Sequence, residues 1–495
     1  MKKHGKILAT IGPSSQSVDV IFRMIEAGAN LFRLNFSHGD YSYHEKSLEN
    51  IRIAAGKSGK FIGVLQDISG PKVRIGRLEK DVLLEAGDIV EFVREEIVGS
   101  FVEPHRLRVS INHPELLARV KEGELIYLYD GMICTRVLRN SGESVLCEVL
   151  SGGMLSSRKG VNFPNTVLDI DILTRKDKRD IAWGVEHGVD FMAISFVQKA
   201  SDMEYVRSIV GEYGGEQELI AKIEKFDAVE NFDDILEVSD GVMVARGDLG
   251  IEIPYYKVPE VQKMLIRKCN EAGKPVITAT QMLLSMTHAE RATRAEISDV
   301  ANAILDGSDC LMLSEESAIG DFPVEAVETM ALTIREAEEE YPYYKIHRFP
   351  YRDDMDVIDE SAVNLVQNIG ADALLAITTT GESARKLSRY RPLKPIYAIT
   401  HNLSVARRLT IVWGVVPAFL SLRENAREVM IDVIKRGLAG GVLSADRSYV
   451  LTAGDPPGVP GTTNIIRILR KEELEHFAEV SDTEAQSASD GVSEG

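Results

Sequence analysis

Apolar residues in this chain fall into short runs, separated by longer stretches in which they recur every three or four positions. The runs KILATIG (6–12), NLFRLNFS (30–37) and KFIGVLQD (60–67) come first. After a gap follow DFMAISF (190–196), ELIAKIE (218–224), GVMVAR (241–246), KPVITAT (274–280) and CLMLS (310–314). Short, nearly continuous apolar runs predict strands buried on both faces. Between them, 18–27 and 258–272 read as amphipathic helices. In the second, Val261, Leu265 and Cys269 share a face at intervals of four. Strand–helix alternation implies parallel strands with helices outside. Eight strands in this rhythm predict a (β/α)8 TIM barrel, with a doubly wound sheet as the rival that periodicity does not separate from it.

The rhythm breaks after Asp67. Residues 70–162 carry VRIGRL, LLEAGDIVEFV, ELIYLYDG, MICTRVLR and SVLCEVL, punctuated by Gly, Asp and Asn. These read as short strands and turns, so a small β-domain, in the family of small β-barrels, is expected inside a barrel loop. Alternation returns near Ile346, after the acidic helix REAEEEY, with ADALLAITTTG, KPIYAIT, VVPAFL, SYVLTAG and NIIRILR. Within this part 411–420 reads as one buried strand. The expected α/β organisation is a barrel over 1–69 and 163–345, an inserted β-domain over 70–162, a C-terminal α/β domain over 346–480 and an acidic tail over 481–495. The tail has no Lys, no Arg and no apolar period, so disorder is expected there.

At 495 residues the chain exceeds one compact core. It sets 57 Lys and Arg against 76 Asp and Glu, a formal net charge of −19. That surplus argues against a general nucleic-acid or anionic-membrane binder, because both need a positive field. Phosphates still bind where Lys, Arg, a metal or a helix N-terminus gathers locally. No run approaches the ~20 apolar residues of a membrane span, and MKKHGKILATIG at the start lacks a signal-peptide core. Cys134, Cys147, Cys269 and Cys310 have neither CxxC nor zinc spacing, which suits a reducing compartment. A cytoplasmic protein is expected.

In a (β/α)8 barrel the C-terminal strand ends converge on one mouth, where catalytic residues belong. Arg33, Asn35 and Ser37 alternate along the end of the second run, and Asp67 ends the third. Lys222 and Glu224, of one parity, end the fifth, and Asp248 follows the sixth in VARGDLG. Thr280 ends the seventh and Ser314 the eighth. Taken singly, each has a plainer reading as a surface ion pair, a turn or a loop cap. Together they supply carboxylates for a hard cation, cations for a phosphate and several hydroxyls. That set suits metal-assisted phosphoryl transfer.

The motifs also carry a resemblance. KILATIGPSS, RLNFSHG, DISGPKVR, RKGVNFPN, ISFVQ, IAKIE, VARGDLGIEIP, KPVITATQMLLSM, TRAEISDVANAILDGSDCLMLS and PGTTN occur in that order over nearly the whole chain. In this the sequence resembles the pyruvate kinase family. The resemblance implies a barrel, a lid domain and a regulatory α/β domain, and the conversion of phosphoenolpyruvate and ADP to pyruvate and ATP. It implies that Glu224 and Asp248 hold Mg²⁺ or Mn²⁺, and that Lys222 and Arg33 lie against the moving phosphoryl group. The backbone at Gly247 and Asp248 would receive the substrate carboxylate. Thr280 stands where the enolate is protonated, with Ser314 and Glu316 beside the proton path. Asn35, Arg74 and Lys159 match nucleotide-binding positions, and TRAEISDVANA matches a subunit contact of a homotetramer. Asn35, Ser37, Asp67 and the Ile68 carbonyl match a K⁺ site. Lys72 stands where K⁺-dependent members tend to have Glu, so its ammonium is expected to replace K⁺, which is then not required.

Two segments depart from the family pattern. LSEESAIG differs from LSGETAxG at Glu315, Ser317 and Ile319, which leaves nucleotide contacts there open. ITTTGESARKLSRYRP resembles a loop that cradles the phosphate of an effector, through Thr378, Thr379, Thr380, Gly381 and Ser383, helped by Thr462 or Thr463. Glu382 is unfavourable beside a phosphate. Arg385, Lys386, Arg389, Arg391 and Lys394 are then either compensating cations or a solvated helix face. Two rival functions remain at this level. One is a metal-dependent lyase or aldolase that needs no nucleotide. The other is a non-catalytic metabolite sensor, which would be expected to lack Lys222, Glu224 or Asp248.

Overall fold

The computed structural model describes residues 3–164, 166, 170–344, 349, 351–419, 426–455, 461 and 463–479. Eight parallel strands close into a barrel: Lys6–Thr10, Leu31–Asn35, Gly63–Ile68, Phe191–Ile194, Glu218–Ile223, Gly241–Ala245, Val276–Ala279 and Cys310–Leu313. The first strand pairs with both the second and the last, so the doubly wound alternative is excluded. The expected helices stand at Val18–Ala27 and Val258–Ala272. Ser17 caps the first by accepting from Val20 N–H, and Gly273, at φ 69°, ends the second. The buried face of the second helix is Gln262, Leu265, Ile266 and Cys269. Among the described residues no helix is long and apolar enough to cross a membrane. The four cysteines form no disulfide.

Strand alternation decides what fills the barrel. Leu8, Leu31, Leu65, Phe191, Ile220, Met243, Ile277 and Cys310 pack as one apolar cluster. Their neighbours Ile7, Phe32, Val64, Leu219 and Val242 pack instead with helix residues such as Ile21, Met24 and Leu265. Stepping by two from the first set towards the C-terminal strand ends gives Thr10, Arg33, Asp67, Ser195 and Lys222. The inward face therefore changes from apolar to polar as it reaches the mouth.

Between the third and fourth barrel strands lies a seven-stranded sheet, ordered Val161–Asn162, Leu125–Leu128, Ile133–Asn140, Ser144–Ser151, Ile89–Val93, Arg106–Ser110 and Ser100–Glu103. A two-stranded sheet joins Val82–Leu84 to Gly153–Leu155. VRIGRL is not the strand expected. It makes only isolated bridges, Arg74 to Gly160, Ile75 to Ile111 and Leu78 to Gly99. Four strands escaped the sequence pattern, Ser100–Glu103, Arg106–Ser110, Gly153–Leu155 and Val161–Asn162. The first lies at the sheet edge and is largely exposed, so it carries no apolar alternation to read.

The C-terminal sheet is ordered Val415–Phe419, Ile396–Thr400, Ala373–Ile377, Tyr449–Gly454 and Thr463–Leu469, the last antiparallel. The single strand expected over 411–420 is instead a 3-10 turn, Leu409–Ile411, followed by Val415–Phe419. That strand lies at an edge, which is why Pro417 is tolerated in it. The proposed tail, 481–495, lies outside the described residues. This domain meets the N-terminal end of the barrel. Lys6 Nζ donates to Val415 O at 2.6 Å, and Gly414 N–H donates to His4 O at 3.0 Å. Arg385 pairs with Glu218, at the start of the fifth strand. Arg391 Nη1 lies 2.8 Å from Asp309, just before the eighth. The opposite mouth is left to the functional residues.

Candidate active site

Lys222 is the hub of the mouth. Its Nζ donates to Ser195 Oγ at 2.6 Å and lies 3.3 Å from Asp67 Oδ1 and 3.4 Å from Glu224 Oε2. Asp67 Oδ2 also accepts from Arg33 Nε at 2.7 Å, and Arg33 Nη1 donates to Thr10 Oγ1 at 3.1 Å. Asp67 and Glu224 are each only 2% exposed, so solvent screens these contacts weakly. Burial opposes the Lys222 charge, but Asp67 and Glu224 outweigh it and push its pKa up. Burial likewise opposes the Asp67 charge, and Lys222 and Arg33 overcome it, holding that carboxyl below its usual range. Glu224 goes the other way. Burial pushes it up, Lys222 offsets this in part, and nearby Asp248 adds to it.

The two oxygens of Glu224 differ: one accepts a hydrogen bond, and the other has only the 3.4 Å ion pair with Lys222. Oε1 accepts Phe196 N–H at 2.7 Å, whereas Oε2 is buried with no hydrogen-bond partner among the described residues. An orphaned carboxylate oxygen beside a second carboxylate fits a divalent cation. Among the described residues no group of three or more His, Cys, Asp or Glu is arranged to hold a metal. Two carboxylates completed by substrate and water oxygens is the pattern of Mg²⁺. Asp248 stands in the first turn of the short helix Arg246–Glu252 that follows the sixth strand.

The loops after the strands are bent to serve these contacts. Phe196 (φ 62°), Thr280 (φ 69°) and Gln281 (φ 55°) occupy the left-handed region, which side chains other than glycine enter at a cost. Arg246 holds the 280 turn by donating from Nη2 to Thr280 O at 2.7 Å and from Nε to Ala279 O at 3.2 Å. Gly247 N–H donates to Thr280 Oγ1 at 2.8 Å, and that hydroxyl donates to Ala279 O at 2.6 Å. A substrate carboxylate reaching Gly247 must share or displace the threonine. Ser314 Oγ is buried without a partner among the described residues, while Ser314 N–H donates to Glu316 Oε2 at 2.7 Å. Burial pushes the Glu316 carboxyl up, against the backbone donors that it accepts.

The remaining expected residues are scattered. At the rim, Asn35 Oδ1 accepts Ser37 N–H at 3.1 Å, and Ser37 Oγ donates to Ser69 Oγ at 3.2 Å. The Ile68 carbonyl accepts from Ser195 Oγ at 2.8 Å. Lys72 Nζ lies 3.7 Å from Asp130 Oδ1, turned towards the inserted domain rather than towards Asp67. Arg74 Nη1 donates to Arg158 O at 3.0 Å, and the Lys159 ammonium lies 4.0 Å over the Tyr129 ring. Both thus keep to partners in the inserted domain. Glu315 is exposed, and Ile319 is 54% exposed.

In the C-terminal domain, Thr378 Oγ1 accepts Gly381 N–H at 2.9 Å, and Thr380 Oγ1 accepts Glu382 N–H at 3.4 Å. The Ser383 and Thr463 hydroxyls share a hydrogen bond of 2.6 Å. Thr379 is half-buried, and Thr462 lies outside the described residues. Four of the basic side chains of this segment, Arg385, Lys386, Arg389 and Arg391, pair with carboxylates and so do not form a solvated face. Lys386 lies 2.7 Å from Asp353 and 3.1 Å from Asp356, and Arg389 lies 3.1 Å from Asp356. Arg385 and Arg391 are the cations already committed to the barrel.

Four contributors escaped the sequence reading: Thr10, Ser195, the Phe196 N–H and Arg246. Thr10 and Ser195 had a readable signal, since they continue the inward parity of the first and fourth strands. Phe196 acts through its backbone N–H, and the Arg246 guanidinium acts on the backbone carbonyls of Ala279 and Thr280, so neither had one.

The model of the pyruvate kinase barrel domain matches residues 2–327, and that of the pyruvate kinase alpha/beta domain matches 356–469. A pyruvate kinase of Geobacillus stearothermophilus is 41% identical over 478 residues, covering 94% of this chain and 80% of its own. A human pyruvate kinase is 44% identical over 489 residues, covering 94% and 84%. One from Clostridium acetobutylicum is 40% identical over 470 residues, covering 94% and 98%. The crystal structure of a pyruvate kinase from Cryptosporidium parvum superposes with a TM-score of 0.88 at 36% identity, over 94% of this chain and 96% of that one. A barrel alone is shared by many unrelated enzymes, but this agreement extends through the inserted sheet and the C-terminal sheet as well. The chain belongs to the pyruvate kinase family.

Proposed function

We propose how the residues at the barrel mouth divide the work of the family's reaction. The chain is a phosphotransferase: it moves the phosphoryl group of phosphoenolpyruvate to ADP, giving pyruvate and ATP in the last step of glycolysis, and it uses a divalent metal. Lys222 and Arg33 lie against the phosphoryl group. The Lys222 pKa is pushed up, so it stays an ammonium and acts as a fixed charge, not as a base. Glu224 and Asp248 hold Mg²⁺ or Mn²⁺. When bound, the cation supplies Lewis-acid neutralisation of substrate oxygens.

The observation that carries this reading is the charge balance around Lys222. With their carboxylates ionised, Asp67, Glu224 and Asp248 against Lys222 and Arg33 leave one negative charge in excess. That excess repels an anionic substrate, and a divalent cation reverses it. Gly247 and Asp248 orient the substrate carboxylate beside Thr280. The Thr280 proton is committed to Ala279 O, so the enolate takes its proton through water held by Thr280 and Ser314, with Glu316 positioning Ser314 through its backbone N–H. Asn35, Arg74 and Lys159 meet the nucleotide phosphates, the last two after leaving their contacts within the lid. Lid closure excludes water and so discourages hydrolysis.

The monovalent corner is Asn35, Ser37, Asp67 and the Ile68 carbonyl, with Lys72 supplying the charge once it leaves Asp130. A phosphorylated effector would use Thr378, Thr379, Thr380, Gly381 and Ser383: the Thr378 hydroxyl only accepts from Gly381 N–H and keeps its own proton to donate, whereas the Gly381 N–H must first leave Thr378. A cytoplasmic homotetramer completes the reading, on family grounds. The test is purified protein with phosphoenolpyruvate, ADP and Mg²⁺ in a K⁺-free buffer, following pyruvate and ATP together. Equal, ADP-dependent yields are expected. Pyruvate without ADP dependence would favour a lyase, and a many-fold rise on adding K⁺ would reject the role of Lys72. Calorimetry with AMP and common sugar phosphates tests the effector loop, and sedimentation tests the tetramer.

A further inference from the structure

Two consecutive groups at the end of the fourth barrel strand hold the two key groups of the fifth. Ser195 Oγ accepts from Lys222 Nζ at 2.6 Å, and Phe196 N–H donates to Glu224 Oε1 at 2.7 Å. The strand register makes this possible by setting Ile194 beside Ala221. A hydroxyl has one proton to give, and Ser195 gives it to the Ile68 carbonyl at 2.8 Å. Only its lone pairs then face Lys222, and an ammonium can only donate. The direction of the relay is therefore fixed, from Lys222 through Ser195 to Ile68.

The distances show which acceptor holds the ammonium. Ser195 is at 2.6 Å, whereas the carboxylates of Asp67 and Glu224 are at 3.3 Å and 3.4 Å. With the neutral oxygen nearer, the ion pair of Lys222 with Glu224 Oε2 stays long at 3.4 Å, and Oε2 has no hydrogen-bond partner among the described residues. The lid hinge bears on the same spot. A Cβ on Gly70, at φ +68°, would come 2.7 Å from Phe196 Cδ2 and 3.2 Å from Ser195 Cβ.

We infer that Ser195 is a positioning residue that holds the Lys222 ammonium off Glu224, leaving one carboxylate oxygen to the divalent metal and the ammonium to the phosphoryl group. This rests on the roles proposed above for Lys222 and Glu224. Removing the hydroxyl lets Lys222 close onto Glu224, so kcat and metal affinity fall together.

The test is Ser195→Ala, with Ser195→Cys as a second variant that keeps the shape but accepts hydrogen bonds weakly. Both are assayed for turnover and, separately, for direct Mn²⁺ binding without substrates. A fall in kcat of about 10–100-fold, with weaker Mn²⁺ binding and unchanged KM for ADP, is expected for each variant that folds. Unchanged kcat, or a lower kcat with unchanged Mn²⁺ binding, would overturn the inference. The two layers separate cleanly. If Lys222→Met still turns over, the role of Lys222 itself falls. If Lys222→Met is inactive while the Ser195 variants match the wild type, only the inference about Ser195 falls.

Discussion

Lys222 and Glu224 are two positions apart and point the same way, yet burial and neighbours drive them to different tasks. The ammonium is stabilised by carboxylates on either side, and its nearest acceptor, Ser195 Oγ, is neutral. Lys222→Met is expected to lower turnover by at least roughly 10²–10³-fold, the cost of losing one preorganised stabilising group. Metal binding should survive, because Glu224 and Asp248 remain. A coupled pyruvate assay beside an Mn²⁺ titration checks both halves. Glu224→Gln keeps the shape but removes a charge from the cation site, so the metal concentration needed for half-maximal rate should rise at least about tenfold. Acidification should act in the same direction. The metal needs the carboxylate, and a carboxyl whose pKa is raised by burial takes up its proton closer to neutrality.

At the scale of elements, the barrel separates chemistry from anchorage along each strand. The fifth strand begins with Glu218, tied to Arg385 of the C-terminal domain, and reaches Lys222 at the mouth. The eighth is preceded by Asp309, which accepts from Arg391 Nη1 at 2.8 Å, Trp413 N–H at 3.2 Å and Val276 N–H at 3.0 Å. Asp309 is 4% exposed and Arg391 8%, so neither charge has water to fall back on. Asp309→Ala strands the guanidinium. Breaking such a buried pair costs about 3–5 kcal/mol, so a clear drop in Tm is expected. At a temperature where the variant is folded, kcat should be nearly unchanged, since the pair lies at the end of the barrel away from the mouth. A thermal melt and an activity assay on one preparation decide the matter, and a fall in kcat without a fall in Tm would contradict this division.

For the molecule as a whole, the C-terminal domain stores a pH dependence remote from the active site. Asp359 is fully buried, and neither carboxyl oxygen has a hydrogen-bond partner among the described residues. Burial pushes its carboxyl up to about 8, from 3.8, with Lys386 opposing and Asp356 reinforcing. Between those values the folded protein holds a proton that the unfolded chain has released. This contribution to stability is therefore complete below 3.8 and is lost as pH rises through about 8. Asp359→Asn removes the titration while keeping the shape. Its Tm should exceed that of the wild type by a margin that is larger at pH 9 than at pH 6. Melts at the two pH values measure this, and an equal margin at both would refute it.

Much of this was legible from local patterns. The strand period requires only neighbouring residues, so eight apolar runs and their helices announced the barrel. The same period marked Arg33, Asp67, Lys222 and Glu224 as mouth residues. It also marked Thr10 and Ser195, whose neutral hydroxyls drew no attention because a hydroxyl at a strand end is ordinary until its partner is known. The chain at 411–420 misled for a related reason: apolar content shows burial but does not distinguish a turn from a strand. The cations of 382–391 were ambiguous because their partners are remote. Arg385 meets Glu218 across 167 positions, and Lys222 meets Asp67 across 155.

Sequence alone thus determined which side chains face inward and which charged groups stand at the strand ends. Only the closed barrel decided who stands beside whom. Its register puts Ser195 and Phe196 against Lys222 and Glu224, and its packed base turns the basic helix into an anchor. Side-chain direction follows from backbone geometry one residue at a time. Proximity between charges depends on how distant strands close on each other, which no local pattern encodes.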